Sequence, residues 1–368
     1  MNARPVLPNY SGENVSGIIR ALLAPPGVPL PTWIPELADV DQRVVLVIDG
    51  LGWEQLQIRL HLAPTLAAMT ARPLTTVAPS TTATALTSIT TGLTPAEHGL
   101  IGYRFDVGGD VLNVLRWRGE RADLRRSHPP RDIQPYAPFL GQSPPVISRA
   151  ELEPSAFTEA HLRGTKPVGW RSASAIAVEV GRQLAAGERF VYAYYDGIDK
   201  TAHERGFGAY YDAELATVDR LVGDVLDQMP DDAALLITAD HGQVQVDDNV
   251  IRPDESMLAM VRLQSGEGRF RWFHARPGAN EDLLAAATDA YGDVAWVVTR
   301  TQTIDEQWFG SAMSAPVASR LGDVALVARE PVTFFDSADS GPYELICRHG
   351  SLTSAEMLVP LLVGRGRR

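Results

Sequence analysis

The chain has 368 residues, 45% of them hydrophobic and 21% charged, enough to bury a large core as one insertion-bearing α/β domain or as two smaller domains. A formal net charge of -12 excludes a broad basic surface for a nucleic-acid polymer, although a bound metal can invert the local field for a small anionic substrate. The single cysteine, Cys347, excludes an intramolecular disulfide and a thiolate-rich metal site.

Residues 1–39 are expected to form an N-terminal extension packing on the core. The opening MNARPVLPNYSGENVSG lacks the apolar stretch of a signal peptide, and no apolar run long enough to span a membrane follows. A cytoplasmic protein without a membrane partner is therefore expected. The first strong element is RVVLVIDGLG (43–52), a β-branched run ending on Asp49–Gly50 in the manner of a buried parallel strand. Gly50 and Gly52 alone do not make the three-glycine fingerprint of a dinucleotide site.

Residues 78–99, APSTTATALTSITTGLTPAEHG, predict a short helix. Ser80 is the expected N-cap after Pro79, Ala83, Leu86 and Ile89 or Thr90 continue one face, Gly92 caps the C-terminus, and Pro95 blocks continuation. The helix start presents Thr81, Thr82 and free backbone N–H groups, which suits an anion. A hydroxyl there beside a metal can ionise and attack phosphorus. The same composition equally suits a small-residue helix packed closely on a sheet.

Residues 104–168, rich in proline and arginine, are expected to form a cap insertion. RFVYAYYDGID (189–199) and DAALLITADHG (232–242) predict two further strands. Between them lies an amphipathic helix over 210–229, with Leu215, Val218, Leu221, Val222, Val225, Leu226 and Met229 on one face. Strand, helix, strand is a βαβ unit. Residues 251–330, with FRWFHARPG and VAWVVTRTQ, predict a small α+β subdomain, after which 331–368 rejoins the 40–250 core.

Ligand sites in open α/β sheets lie beyond the carboxyl ends of the strands, where Asp49, Asp199 and Asp240 are expected. Three converging acids repel one another unless a cation lies between them. In DGIDKTAHERG, Asp199 and His203 are four apart, one helical turn, although surface pairs often share that spacing. Asp240–His241–Gly242 follows a strand and suits a metal, or alternatively a helix N-cap with an exposed histidine. His349 in RHGS follows the strand-like ELIC. Together these side chains suffice for two adjacent metals, and mixed imidazole and carboxylate donors suit Zn²⁺, with Mn²⁺ also accepted.

With these motifs in this order, residues 40–365 resemble the alkaline phosphatase superfamily and, within it, the type I phosphodiesterase/nucleotide pyrophosphatase family. The resemblance implies a mostly parallel central sheet with helices on both faces. It implies that Thr82, ten residues before Gly92, is the nucleophile rather than Thr81. It implies one metal held by Asp49, Asp240, His241 and Thr82 and a second held by Asp199, His203 and His349. The implied chemistry is hydrolysis of a small phosphodiester or nucleotide through a phosphothreonine intermediate. Phosphomonoester or phosphonate hydrolysis within the superfamily, or a non-catalytic metal-stabilised binding protein, are the alternatives. The family usually places an aromatic residue directly after the nucleophile and an asparagine three residues after it; here Ala83 and Ala85 stand there. Arg104 or Arg116 is then a candidate for holding a phosphate oxygen, or the two line a solvated loop.

Overall fold

The structure is a computed structural model. It describes residues 4–368 apart from 26, 36, 38, 39 and 340–344. Seven strands make the central sheet, in the order Thr70–Thr75, Leu358–Arg365, Ala233–Thr238, Gln42–Ile48, Phe190–Tyr195, Pro145–Arg149 and Lys166–Trp170. Only Leu358–Arg365 runs antiparallel to its neighbours. The three middle strands are buried and mostly apolar, apart from Gln42 and Arg43 at the start of the first and Thr238 at the end of another, because both of their faces are covered.

Their register decides where the chemistry lies. Ile48 pairs with Tyr195, and Val47 pairs with Thr238. Three strands thus finish at nearly the same level, and the residues that follow them emerge together at one edge. The Phe190–Tyr195 strand runs into helix Gly197–Arg205, and a turn later helix Ala209–Gln228 carries the chain back. Leu215, Val218, Leu221, Val222, Val225 and Leu226 of that helix are buried, whereas Arg220, Asp224 and Asp227 are exposed. This is the amphipathic face its spacing predicts.

Before the first strand, helix Ser16–Leu22 buries Ile18, Ile19 and Leu22 and packs against the helix Thr82–Thr91. Residues 261–328 contribute a separate antiparallel sheet, ordered Val261–Glu267, Phe270–Ala275, Val324–Ala328 and Ala295–Thr299, with helix Asn280–Tyr291 against it. Phe273, Leu283, Leu326 and Phe334 form its own apolar cluster.

The 104–168 segment departs from a simple cap. Its first part is a hairpin, Arg104–Val107 with Asp110–Asn113, but Pro145–Arg149 and Lys166–Trp170 are strands of the central sheet. Pro145 opens its strand and Pro167 lies in the edge strand Lys166–Trp170, two places where a proline costs the ladder little. Among the described residues, no helix is long and apolar enough to cross a membrane.

Candidate active site

Asp49 leaves its strand into a turn that only glycine suits. Gly50 has φ +73, and a Cβ there would lie 2.6 Å from Gln243 Nε2 and 2.9 Å from Asp199 Cα. Its bare N–H donates to Asp240 Oδ1 at 3.1 Å, and Asp199 N donates to the Asp49 carbonyl at 3.1 Å. The tight turn therefore draws all three acids into one place. Gly242 is equally confined, since a Cβ there would stand 2.0 Å from the Ala355 carbonyl oxygen.

Helix Thr82–Thr91 begins one residue later than its sequence suggests, with Thr81 extended (φ -133, ψ 144) at the N-cap. Ser80 has a different task. Its Oγ donates to the Ser351 carbonyl at 2.6 Å, and Gly350 N donates to that Oγ at 3.2 Å. The bridge fastens the RHGS turn to the residues leading into the helix. At the other end Gly92 takes the left-handed conformation expected of a C-cap (φ 72).

The three histidines share one arrangement. Nδ1 of His203 donates to the Cys347 carbonyl (2.6 Å), that of His241 to the Gly242 carbonyl (3.0 Å) and that of His349 to the Ser80 carbonyl (3.0 Å). A carbonyl only accepts, so Nδ1 is the donor in each case and each ring turns its Nε2 to the cluster. His241 Nε2 lies 3.1 Å from Thr82 Oγ1 and 3.4 Å from both Asp49 Oδ1 and Asp240 Oδ2. Those two carboxylate oxygens are buried and receive no hydrogen bond. His203 Nε2 is 3.2 Å from Asp199 Oδ1, and His349 Nε2 is 4.0 Å from the same oxygen.

Two buried carboxylate oxygens without a hydrogen-bond partner, converging on an imidazole nitrogen, are a donor set for a cation. The donor atoms of Asp49, Asp240 and His241 lie within 4.8 Å of one another, as do those of Asp199, His241 and His349. The His241 and His349 rings stack at 3.6 Å, so His241 stands between the two groups, and His203 reaches the second through Asp199. Asp49, Asp199, His203, Asp240, His241 and His349 thus meet in one cluster, which Thr82 joins through His241.

Electrostatics agree with that fit. Burial, with the charges of Asp240 and Asp199, pushes the Asp49 carboxyl well above its ordinary range. Burial and Asp199 push Asp240 up as well, against His241. Burial also works against charge on Asp199, but the facing His203 outweighs it and holds that carboxyl low. His203 in turn is raised by Asp199, despite its own burial. Without a dication the protein avoids ionising Asp49 and Asp240 together; a bound one removes that cost.

Three contributors lie outside the sequence motifs. Tyr194 Oη donates to Asp49 Oδ2, and Gln243 Nε2 donates to Asp199 Oδ1 at 2.8 Å. Alternation in FVYAYY places Tyr192 and Tyr194 on one face, but nothing in that run distinguishes a ligand-holding tyrosine from a core one. Glu267, from the small sheet, lies behind the turn that leads into Thr82. Burial raises its carboxyl to about 8, against the Thr81 hydroxyl and the Arg271 charge. Arg104 does not serve a phosphate: its guanidinium is buried in ion pairs with Asp336 (2.8 Å) and Asp339 (2.7 Å).

The sequence profile described as type I phosphodiesterase / nucleotide pyrophosphatase matches residues 43–352. No curated protein sequence matches the chain. Among solved structures, murine ectonucleotide pyrophosphatase/phosphodiesterase 5 superposes with a TM-score of 0.65 at 15% identity, covering 89% of this chain and 88% of that one. An inactive variant of the murine protein in complex with AMP aligns equally well. Phosphonoacetate hydrolase from Sinorhizobium meliloti, in complex with phosphonoformate, gives 0.64 at 18% identity, covering 89% and 91%. At such identities the likeness speaks for the fold.

Proposed function

This chain belongs to the type I phosphodiesterase / nucleotide pyrophosphatase family, and from that membership we propose that it is a two-metal hydrolase of small phosphodiesters or pyrophosphates with Thr82 as nucleophile. The single observation that carries the proposal is the convergence of Asp49 Oδ1 and Asp240 Oδ2, both buried without a hydrogen-bond partner, on His241 Nε2 beside the Thr82 hydroxyl. Asp49, Asp240, His241 and Thr82 would hold one dication, and Asp199, His203 and His349 the other. Zinc suits this mixed donor set, and manganese accepts it. Bound there, the pair would supply Lewis acidity and neutralise charge on the phosphoryl oxygens.

The chain's own residues do the rest. Thr82 heads its helix, so its hydroxyl stands where N–H groups without intrahelical acceptors favour an anion. His241 Nε2 lies 3.1 Å from that hydroxyl, so both atoms would face one shared dication. Thr82 Oγ gives its proton to solvent and attacks phosphorus, forming an O–P bond as the ester oxygen leaves and takes a proton from water, giving phosphothreonine. Water then cleaves the new bond and restores the hydroxyl.

Cleavage of a carbon–phosphorus bond is the second reading, supported by the structural likeness to a phosphonoacetate hydrolase. Both are tested with bis(p-nitrophenyl) phosphate, p-nitrophenyl phosphate and phosphonoacetate on protein stripped of metal and reloaded with zinc or manganese. Preferred diester cleavage, falling about a thousandfold or more in Thr82→Ala with metal binding retained, is the expected result. Equal turnover by Thr82→Ala overturns the proposal. Phosphonoacetate as the preferred substrate moves the protein to the second reading.

A further inference from the structure

Beside Thr82 lies a cavity of about 250 Å³, which Asp49 and Asp199 also line. Its remaining wall is mostly apolar. Leu86 stands one helical turn beyond Thr82, on the same side of the helix. Phe157 and Leu162 come from the helix Ala156–Leu162, and Tyr192 from the central sheet; all are buried. Leu115 and Leu152 complete the wall, yet they are 42% and 39% exposed, unusual for large apolar side chains beside a polar cluster.

The polar groups in the wall are largely committed. Thr158 donates its hydroxyl to the Leu152 carbonyl at 2.7 Å, and Ser155 donates to Thr158 Oγ1 at 2.9 Å. His161 stacks on Phe157 and spends Nδ1 on the Phe157 carbonyl at 2.6 Å. Lys200 pairs with Asp196, which Arg149 also engages at 2.8 Å. The buried Tyr192 hydroxyl makes no hydrogen bond. One carboxylate shared by two cations leaves a single net positive charge at this place, which suits one phosphoryl group and not a row of them.

Drug-sized ligands occupy roughly 300–1,000 Å³, whereas a dry cavity of about 150 Å³ lined by Leu, Ile and Phe takes a benzene ring. A nucleoside brings hydroxyls and a base edge that this wall would leave unmatched at a cost. We infer that the cavity is the subsite for the substrate's organic substituent and that it selects a compact apolar group, an aryl ring or short alkyl chain, over a nucleoside. Leu115 and Leu152 lose their exposure when that group enters. This rests on the proposed phosphoryl site at Thr82 and names the substrate class that site serves.

The test separates binding from turnover. Affinities of the metal-loaded protein for phenylphosphonate and methylphosphonate are measured by calorimetry, and kcat/KM is compared for the p-nitrophenyl esters of phenyl phosphate and thymidine 5′-phosphate. Phenylphosphonate is expected to bind roughly tenfold more tightly or better, and the phenyl ester to be the better substrate. Leu152→Ser, at an exposed position that the fold tolerates, should weaken phenylphosphonate several-fold more than methylphosphonate. Equal affinities, an equal effect of Leu152→Ser on both ligands, or preference for the thymidine ester overturns the inference. Tighter phenylphosphonate binding without any Thr82-dependent turnover would overturn the proposed reaction and leave the subsite standing.

Discussion

His98 closes the motif that carries Thr82, and the proton it takes up only on unfolding should make the fold less stable below pH 6.5. It is wholly buried, accepts from Leu100 N at Nδ1 (3.1 Å), and so carries its proton on Nε2, which donates to Ser88 Oγ at 2.8 Å. Ser88 lies on the same helix as Thr82. Burial and the nearby Arg320 charge lower His98 from 6.5 to about 3. Because the folded value is depressed, the unfolded chain takes up a proton that the native state refuses. Stability is therefore complete above pH 6.5 and lost progressively as the pH falls toward 3. Between pH 7 and pH 5 the loss from this one residue is about 2 kcal/mol, a large share of a typical domain's stability. His161 and His274, each lowered to about 4 chiefly by burial, act in the same sense, so the wild-type curve alone cannot isolate His98. His98→Gln does, since an amide keeps one donor and one acceptor and does not titrate. Urea unfolding of both proteins at pH 7, 6 and 5 should show the wild type losing about 2 kcal/mol more than the variant. Equal losses would mean that His98 is protonated in the native state and that its two hydrogen bonds are not those described.

Removing the hydroxyl that holds Asp49, with Tyr194→Phe, should weaken metal binding about 10- to 100-fold while leaving the fold intact, as measured by metal titration and circular dichroism. Gly50→Ala forces a Cβ against Gln243 and the Asp199 backbone at a positive φ; more than about 1 kcal/mol of stability should go, together with metal affinity, in paired thermal and calorimetric measurements. Arg269 and Glu356 form a fully buried two-point pair at 2.7 and 2.8 Å. Glu356→Gln should cost about 3–5 kcal/mol in urea unfolding, and the double change to methionine much less, because only the single variant leaves a buried charge unpaired.

Much of the site was legible because strand ends and glycine turns leave strong marks. An apolar run stopping on Asp49–Gly50 or on Asp240–His241–Gly242 announces both a buried strand and a side chain at its carboxyl end. Asp199 and His203 were legible as one helical turn. The strands Pro145–Arg149 and Lys166–Trp170 were not, since proline and glycine within five-residue runs look like loop when no neighbour is visible. Ser80 was expected as the N-cap because its type suits one, but pairing with Gly350, 270 residues away, claims it. Glu267 had no local signal at all; only the folding of the small sheet against the turn that leads into Thr82 puts a carboxyl there.

What the sequence could not convey is how the acids and histidines are kept ready. Each imidazole is fixed by a carbonyl from a different part of the chain: Cys347 for His203, Gly242 for His241 and Ser80 for His349. Asp49 and Asp240 each have one oxygen tied down, by Tyr194 and by the Gly50 N–H, and the other left bare toward His241. A polar network serving stability alone would satisfy both oxygens, because a bare buried carboxylate oxygen costs free energy and contributes none. The scaffold holds that cost in place with a glycine that admits no side chain and a tyrosine otherwise suited to the core. The expense is concentrated within reach of one threonine hydroxyl and beside a mostly apolar cavity. Stability alone does not account for that concentration, whereas binding cations to act on a phosphoryl group does.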